Sequence, residues 1–244
     1  MKISVVVPVL NEQVNLMSAI QSVRDAVPAP EIIVADGGSV DGSLEGLLAQ
    51  PDVRVVHAKR GKGVQQNAGG FLATGDAILF LHADCRLPVD AGQQLESTLA
   101  DPRIAGGCFF ARWSRDTRAL RLIAFGMNLR TVLRRTSYGD QALFIRRSVF
   151  HQVGGFPDWP LFEDTELVRR MKTAGRFAVI RSPVTISSRR FEKNGIFYGV
   201  FLVYFLQIGF LLGISPVRLK KWFVDVRPHL ELQGKKEPKS DPSE

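Results

Sequence analysis

The stretch DAILFLHADCRLP, residues 76–88, decides how the rest of the chain is read. Residues 77–81 are apolar without alternation and only five long, as expected of a strand covered on both faces of a sheet. The run breaks off into polar residues, so His82 and Asp84 stand just past the carboxyl end of a buried strand. In an open α/β sheet that is where a ligand crevice forms. A carboxylate there is placed to ligate a divalent cation, and a hard cation on oxygen ligands is the usual bridge to a diphosphate. The plainer alternative is that Asp84 only opens a turn before Pro88.

Upstream the same alternation of strand, polar loop and helix recurs. Residues 3–7 read as a strand ending at Pro8. The run VLNE follows, in which Asn11 is placed to cap a helix with apolar positions Leu16, Ile20, Val23 and Val27. Pro28 and Pro30 stop it. Residues 31–35 form the second strand, followed by DGGSVDGS; Asp36 lies beyond its end, and Gly37 and Gly38 allow a close backbone approach or a turn. Asp41 or Ser39 then caps a short helix. Residues 53–58 are the third strand, and KRGKG leads into a helix carrying Asn67, Ala68 and Phe71. Four such units argue for a parallel, helix-covered sheet. Right-handed crossovers would line the loops 8–12, 36–39, 61–63 and 82–84 along one edge.

Two nucleotide folds lose their support here. No G-x-G-x-x-G follows the first strand, and the G-K-G at 61–63 lacks the spacing and the Ser or Thr of a phosphate-binding ATPase loop. Lys62 is left to neutralise a phosphate or to sit in solvent.

Beyond residue 88 the pattern changes. Residues 90–99 read as a helix, 104–110 as a strand, and 120–133 as a helix studded with Arg118, Arg121, Arg130, Arg134 and Arg135. YGDQ (138–141) runs into a strand at 142–145; GGFP (154–157) and LFEDTE (161–166) follow. Glu163, Asp164 and Glu166 open a helix with Leu167, Met171 and Ala174 on its apolar side. Acidic residues in a first turn are ordinary partners of the helix dipole, or one of them is a general base.

At 244 residues with 45% apolar side chains, the chain is expected to form one main domain with an appendage. Lys2 passes directly into a strand, which argues against a signal peptide. Cys85 and Cys108, in no C-x-x-C pattern, read as plain thiols of a reducing, cytoplasmic setting. Charge is uneven: residues 1–108 carry net −4 and residues 109–244 net +12. The second half therefore faces an anionic partner, a phosphate-bearing acceptor or an acidic lipid; nucleic acid is disfavoured because no recognition motif is present.

Residues 194–217 carry no charge and are flanked by Arg189, Arg190 and Lys193 before and Arg218, Lys220 and Lys221 after. About 20 apolar residues would just span a bilayer, but Gln207, Gly199, Gly209 and Gly213 weaken that reading. A helix lying on the inner face of a membrane, or packed on the catalytic domain or a second copy of the chain, is preferred, with Pro216 starting another amphipathic piece. The expected organisation is 1–190 catalytic (1–108 for the nucleotide, 109–190 for the acceptor), 191–232 apolar and amphipathic helices, and 233–244 a disordered tail.

Taken in order, VPVLNE, DGGSVDGS, GKG with Asn67, HAD, YGDQ, GGFP and EDTE resemble the family 2 inverting glycosyltransferases of GT-A fold. The resemblance covers residues 3–180 and comes nearest the small bacterial subgroup labelled as arsenosugar-biosynthesis transferases. It implies a Rossmann-like, mostly parallel sheet and transfer from a nucleotide sugar, UDP-linked above all. Pro8, Asn11, Glu12 and Asp36 would hold base and ribose, with Lys62 and Asn67 completing the pocket. His82, Ala83 and Asp84 would face the diphosphate, where Asp84, with His82 as a second candidate ligand, would bind Mg²⁺ or Mn²⁺. Asp164, beside Glu163, would deprotonate the acceptor, and Tyr138, Gly139, Asp140 and Gln141 would line the sugar or acceptor side. His82 departs from the family pattern, replacing the first Asp of D-x-D and putting the cation requirement in doubt. Two other readings compete: a sugar-nucleotide hydrolase or nucleotidyltransferase on the same sheet, and a non-catalytic basic module that binds lipid.

Overall fold

The computed structural model describes residues 1–47, 49–137, 139–189 and 196–222. Seven strands form one sheet: β1 (Ile3–Val9), β2 (Glu31–Asp36), β3 (Val53–His57), β4 (Ala77–Phe80), β5 (Ile104–Trp113), β6 (Leu143–Arg146) and β7 (Arg176–Ile186), in the order β3-β2-β1-β4-β6-β5-β7. The first four are mutually parallel, as the four β-then-α units require. β6 runs antiparallel to β4 and β5, and β7 returns parallel to β5. The result is a mixed α/β sheet, mostly parallel, with helices on both faces.

The unalternating runs are explained by two cores. Val5, Val7 and Val9 of β1 and Ala77 and Leu79 of β4 face one core, which includes the apolar sides of α1 (Gln13–Ala26) and α3 (Ala91–Leu99). Val6, Ile78 and Phe80 face the other, with Phe150 of α5 (Arg147–Val153) and Leu167, Val168 and Met171 of α6 (Glu163–Ala174). Helix α2 (Lys62–Leu72) lies so close to the second face that a Cβ on Gly69 would come within 2.4 Å of the Val6 side chain. This contact fixes the approach of the loop at 61–63 to the sheet edge.

One expectation needs correction and another needs extending. Asn11 does not cap α1: it adopts a left-handed backbone (φ 54°), and its Oδ1 accepts instead from the Val40 amide at 2.9 Å. The free donors of α1 are taken by the next loop, Glu12 N–H by Ser43 Oγ at 2.9 Å and Gln13 N–H by Asp41 Oδ2 at 3.0 Å. Asp41 serves both sides, its Oδ2 accepting from Gln13 N–H of α1 and its Oδ1 from the Ser43 N–H at 2.9 Å where the following short turn begins, and the two polar loops are tied into one rim. Strand β7, interrupted by Pro183, was not foreseen; proline is tolerated because β7 is an edge strand.

Helix α4 (Arg118–Arg134) packs beside β5, capped by the Thr117 side chain. Two further helices, α7 (Ile196–Leu211) and α8 (Pro216–Lys220), follow β7. Among the described residues no helix is long and apolar enough to cross a membrane. The expected tail at 233–244 lies outside the described residues.

Candidate active site

The carboxyl ends of β1, β2, β4 and β7 deliver polar side chains to one rim, and these sort into two carboxylate clusters. In the first, Glu12 at the start of α1 and Asp84 after β4 share one cation. Arg189 Nη2 lies 2.9 Å from Glu12 Oε2 and 3.2 Å from Asp84 Oδ2. Burial opposes the Arg189 charge, but Glu12 and Asp84 outweigh it, and its pKa stands above the usual arginine value. Nothing in the sequence around Arg189 singles it out beyond a pair of arginines after a serine pair. What gives it a place is β7, whose end carries it across to positions 12 and 84.

The second cluster opens α6. Glu163 and Asp164 are both buried, and Lys62 reaches them from the start of α2, with Nζ 3.0 Å from Glu163 Oε1 and 3.7 Å from Asp164 Oδ2. Burial lowers the Lys62 pKa, but Glu163, Asp164 and Asp140 outweigh it and hold the value above that of an ordinary lysine. Burial pushes the Glu163 carboxyl up; Lys62 pulls it back and the Asp164 charge adds to the rise. Lys62 is therefore bound to the carboxylates and is no loose loop lysine.

Asp140 and Cys85 connect the clusters. Cys85 Sγ sits 3.7 Å from Asp84 Oδ1 and 3.9 Å from the Asp140 carbonyl oxygen, while Asp140 is close enough to raise the pKa of Lys62. Asp84, Asp140, Glu163 and Asp164 thus fall on one rim. Three residues held at positive φ without being glycine flank it: Asn11 (54°), Ala142 (47°) and Phe162 (63°). Each costs roughly 1–2 kcal/mol and holds Glu12, Gln141 or Glu163 at its angle.

Other expected site residues are committed elsewhere. Asp36 is buried and accepts from the amides of Gly38 and Ser39, both at 3.0 Å, with His57 Nδ1 at 3.4 Å. Asn67 uses both ends of its amide on the Phe156 backbone, donating to the carbonyl and accepting from the N–H, each at 2.8 Å. It staples the GGFP turn to α2. Gln141 is buried between Thr131 and the Phe109 carbonyl, a support for the sheet end more than a contact surface. Pro8 pairs with Ala35 inside the sheet, and Ala83 is buried. Gly139 and Asp140 form a 3₁₀ turn with Gln141; Tyr138 lies outside the described residues.

For a cation, the atoms of His82, Asp84 and Cys85 lie within 4.8 Å of one another. Burial pushes the Cys85 thiol well above its ordinary value, with Asp84 and Asp140 adding to the shift, so it is a poor ligand for a hard ion. One carboxylate with an imidazole neighbour fits an ion of the Mg²⁺ or Mn²⁺ type that takes its remaining ligands from a diphosphate. Cys108, buried and pushed up to about 12, is equally inert.

Residues 4–156 match the model of the family described as Glycosyl transferase family 2. The chain is 26% identical over 176 residues to "Glycosyltransferase AglE" of Haloferax volcanii, covering 64% of this chain and 56% of that one. It is 34% identical over 105 residues to an undecaprenyl-phosphate 4-deoxy-4-formamido-L-arabinose transferase of Yersinia pestis, covering 38% and 32%. It thus spans about half the length of the first of these relatives and a third of the second. Among solved structures, glucosyl-3-phosphoglycerate synthase of Mycobacterium tuberculosis, in complex with Mn²⁺, UDP and glucosyl-3-phosphoglycerate, superposes with a TM-score of 0.58 at 22% identity, covering 80% of this chain and 75% of that one. The sheet is therefore of the GT-A type.

Proposed function

The chain belongs to glycosyl transferase family 2, and from that premise we propose that it moves a sugar from a nucleoside diphosphate sugar, most simply UDP-linked, to an acceptor hydroxyl with inversion at the anomeric carbon. The carrying observation is that two carboxylate clusters, each held by one cationic side chain, meet at one sheet edge through Cys85 and Asp140. That juxtaposition suits a donor sugar between a diphosphate on one side and a base on the other. It sets aside a module without catalysis.

In this reading Pro8, Asn11, Glu12 and Asp36 shape the wall for base and ribose, through a rim made stiff by the Asn11 to Val40 and Glu12 to Ser43 bonds. Asp84, with His82, would hold Mg²⁺ or Mn²⁺. When bound, such an ion offsets the charge building on the departing diphosphate. Arg189 trades its carboxylate partners for diphosphate oxygens, a planar donor suited to that exchange. The acceptor oxygen bonds to the anomeric carbon as the bond to the diphosphate oxygen breaks, and its proton passes to Asp164. Glu163 and Lys62 fix that carboxylate in place, and Asp140 lines the same opening.

On the acceptor side a cavity of about 430 Å³ is lined by Arg112, Trp113, Ser114, Arg115, Asp116 and Arg121, with Arg121 paired to Asp116 at 2.9 Å and Arg112 and Arg115 leaving the lining net positive. Ser114 Oγ lies 3.1 Å from Ser188 Oγ, next to Arg189. Its charge favours an anionic acceptor, and a phosphate-bearing or lipid-linked one fits the name of the Yersinia relative; the work would then be done at the inner face of a membrane. The finer likeness to arsenosugar-biosynthesis transferases rests on HAD and YGDQ.

A thermal-shift screen of UDP-, GDP-, ADP- and dTDP-sugars with and without Mn²⁺ tests the reading, because a ligand that binds only the native state raises its melting temperature. One nucleotide class is expected to stabilise the protein, more so with Mn²⁺. Failure of every nucleotide sugar to shift the transition would overturn it.

A further inference from the structure

Helix α4 presents an exposed apolar stripe, Leu122, Phe125, Leu129 and Leu133, at helical spacing on the side away from the sheet. A monomeric domain seldom leaves such a row of large side chains in water. Helix α7 carries a second stripe, Phe201, Tyr204, Phe205, Ile208 and Leu211, continued by Leu212, and its Phe205 ring lies 5.6 Å from that of Trp222. The helices are neighbours: Arg130 Nη1 of α4 donates to Gln207 Oε1 of α7 at 3.2 Å. The stripes therefore belong to one region of the surface.

Charge decides what covers it. Residues 117–137 contain five arginines, of which Arg121 is paired with Asp116 at 2.9 Å, and residues 196–222 contain Arg218, Lys220 and Lys221; neither segment itself contains an acidic residue, so the face stays net positive. A second protein copy bearing the same face would bring like charges together. An anionic lipid surface meets both features, with rings and leucines entering the headgroup boundary and cationic side chains facing lipid phosphates. Among the described residues neither helix is long and apolar enough to cross a bilayer, and two stripes on neighbouring helices suit a contact in the plane of the interface.

We propose that α4 and α7 together form a docking face for an anionic bilayer surface, with α4 supplying half of it. The consequence for the site follows from one contact. Phe210 of α7 stacks on Phe162 with centroids 4.5 Å apart, and Phe162 is the residue before Glu163 and Asp164. Docking places the second carboxylate cluster close to the lipid boundary. The proposal extends the suggested lipid-side acceptor to a surface, and it holds whichever sugar is moved.

The test is co-sedimentation of the full chain with vesicles of phosphatidylcholine alone or with about a third phosphatidylglycerol, alongside light scattering for oligomeric state. No sugar nucleotide is present, so the result is independent of the transfer reaction. Wild-type protein is expected to pellet with the anionic vesicles only, and to be released as salt rises from about 0.1 to 1 M, where the screening length falls from about 10 to 3 Å. The double variant Phe125→Glu, Leu129→Glu changes exposed positions that belong to neither carboxylate cluster. It should lose vesicle binding by at least about tenfold while keeping its melting temperature. Unchanged partitioning of that variant, no partitioning of the wild type, or a wild-type dimer that the variant splits without any vesicle binding would each overturn the proposal.

Discussion

The two carboxylate clusters differ in how their charge is balanced. Glu12 and Asp84, 10% and 29% exposed, share Arg189, whose side chain is 45% exposed and comes from just beyond β7. Glu163 and Asp164 share Lys62, which is tucked into the start of α2 and reaches carboxylates that are 4% and 7% exposed. An exposed ion pair contributes little and exchanges partners easily. A buried one, once broken, leaves an uncompensated charge at high cost. In the proposed reading the first cluster, the more exposed of the two, opens toward an incoming anion, and the second stays fixed while a proton moves.

The contrast is broken most severely at the fixed side. Asp164→Asn should cut turnover by about 10³-fold, within the range for loss of a general base. Donor affinity should stay near wild type, because the residue acts on the acceptor. Turnover and donor affinity measured on the same preparation check both statements.

On the open side, Arg189→Ala should weaken donor binding by about tenfold to a hundredfold, and Arg189→Lys should restore only part of it, since the paired donors of a guanidinium are lost. The melting temperature should fall modestly, less than in a Lys62 variant, because Glu12 is left buried without its cation while Asp84 and Arg189 are partly exposed. Mn²⁺ alone, titrated without nucleotide, should bind the Arg189→Ala variant more tightly because Asp84 loses its internal counter-ion. Calorimetric titration checks each.

Lys62→Met reverses that pattern, with stability changing and donor binding changing less. Removing the cation from two buried carboxylates should cost about 2 kcal/mol, below the full range for a buried pair because Lys62 is one-third exposed. The sign with pH follows from Glu163, whose pKa burial already raises. An acid raised in the folded state favours folding when protonated, so that contribution is complete at low pH and is lost as pH climbs from about 4.3 through the raised value. Without Lys62 the rise is larger, and the deficit relative to wild type should widen with pH. Denaturant melts across that window measure it.

Much of this was legible before any coordinates. The unalternating runs at 3–7, 31–35 and 77–81 marked strands buried on both faces, and their order fixed the parallel half of the sheet and the edge on which Glu12, Asp36 and Asp84 fall. The second half was harder. An antiparallel β6 leaves no local signature, and Pro183 inside β7 hid an edge strand. Without β7, Arg189 had no reason to meet Glu12 and Asp84. The Asn11 cap was misjudged, and the distant bonds of Asp41 and Asn67 went unseen, for a common reason: short polar side chains satisfy whichever backbone group the tertiary fold brings near, and those partners are 29, 28 and 89 residues away. The exposed stripe of α4 was readable as a helix, but which of its faces met water depended on where β5 lay.

The central claim is that Asp84 serves the donor and Asp164 the acceptor within one site. Titrating the stabilising nucleotide sugar, in the presence of Mn²⁺, into Asp84→Asn and Asp164→Asn tests it most directly. The account predicts that Asp84→Asn loses the cation-dependent part of the affinity, while Asp164→Asn binds as wild type does. Equal, undiminished binding by Asp84→Asn, or loss of binding in Asp164→Asn alone, would contradict it.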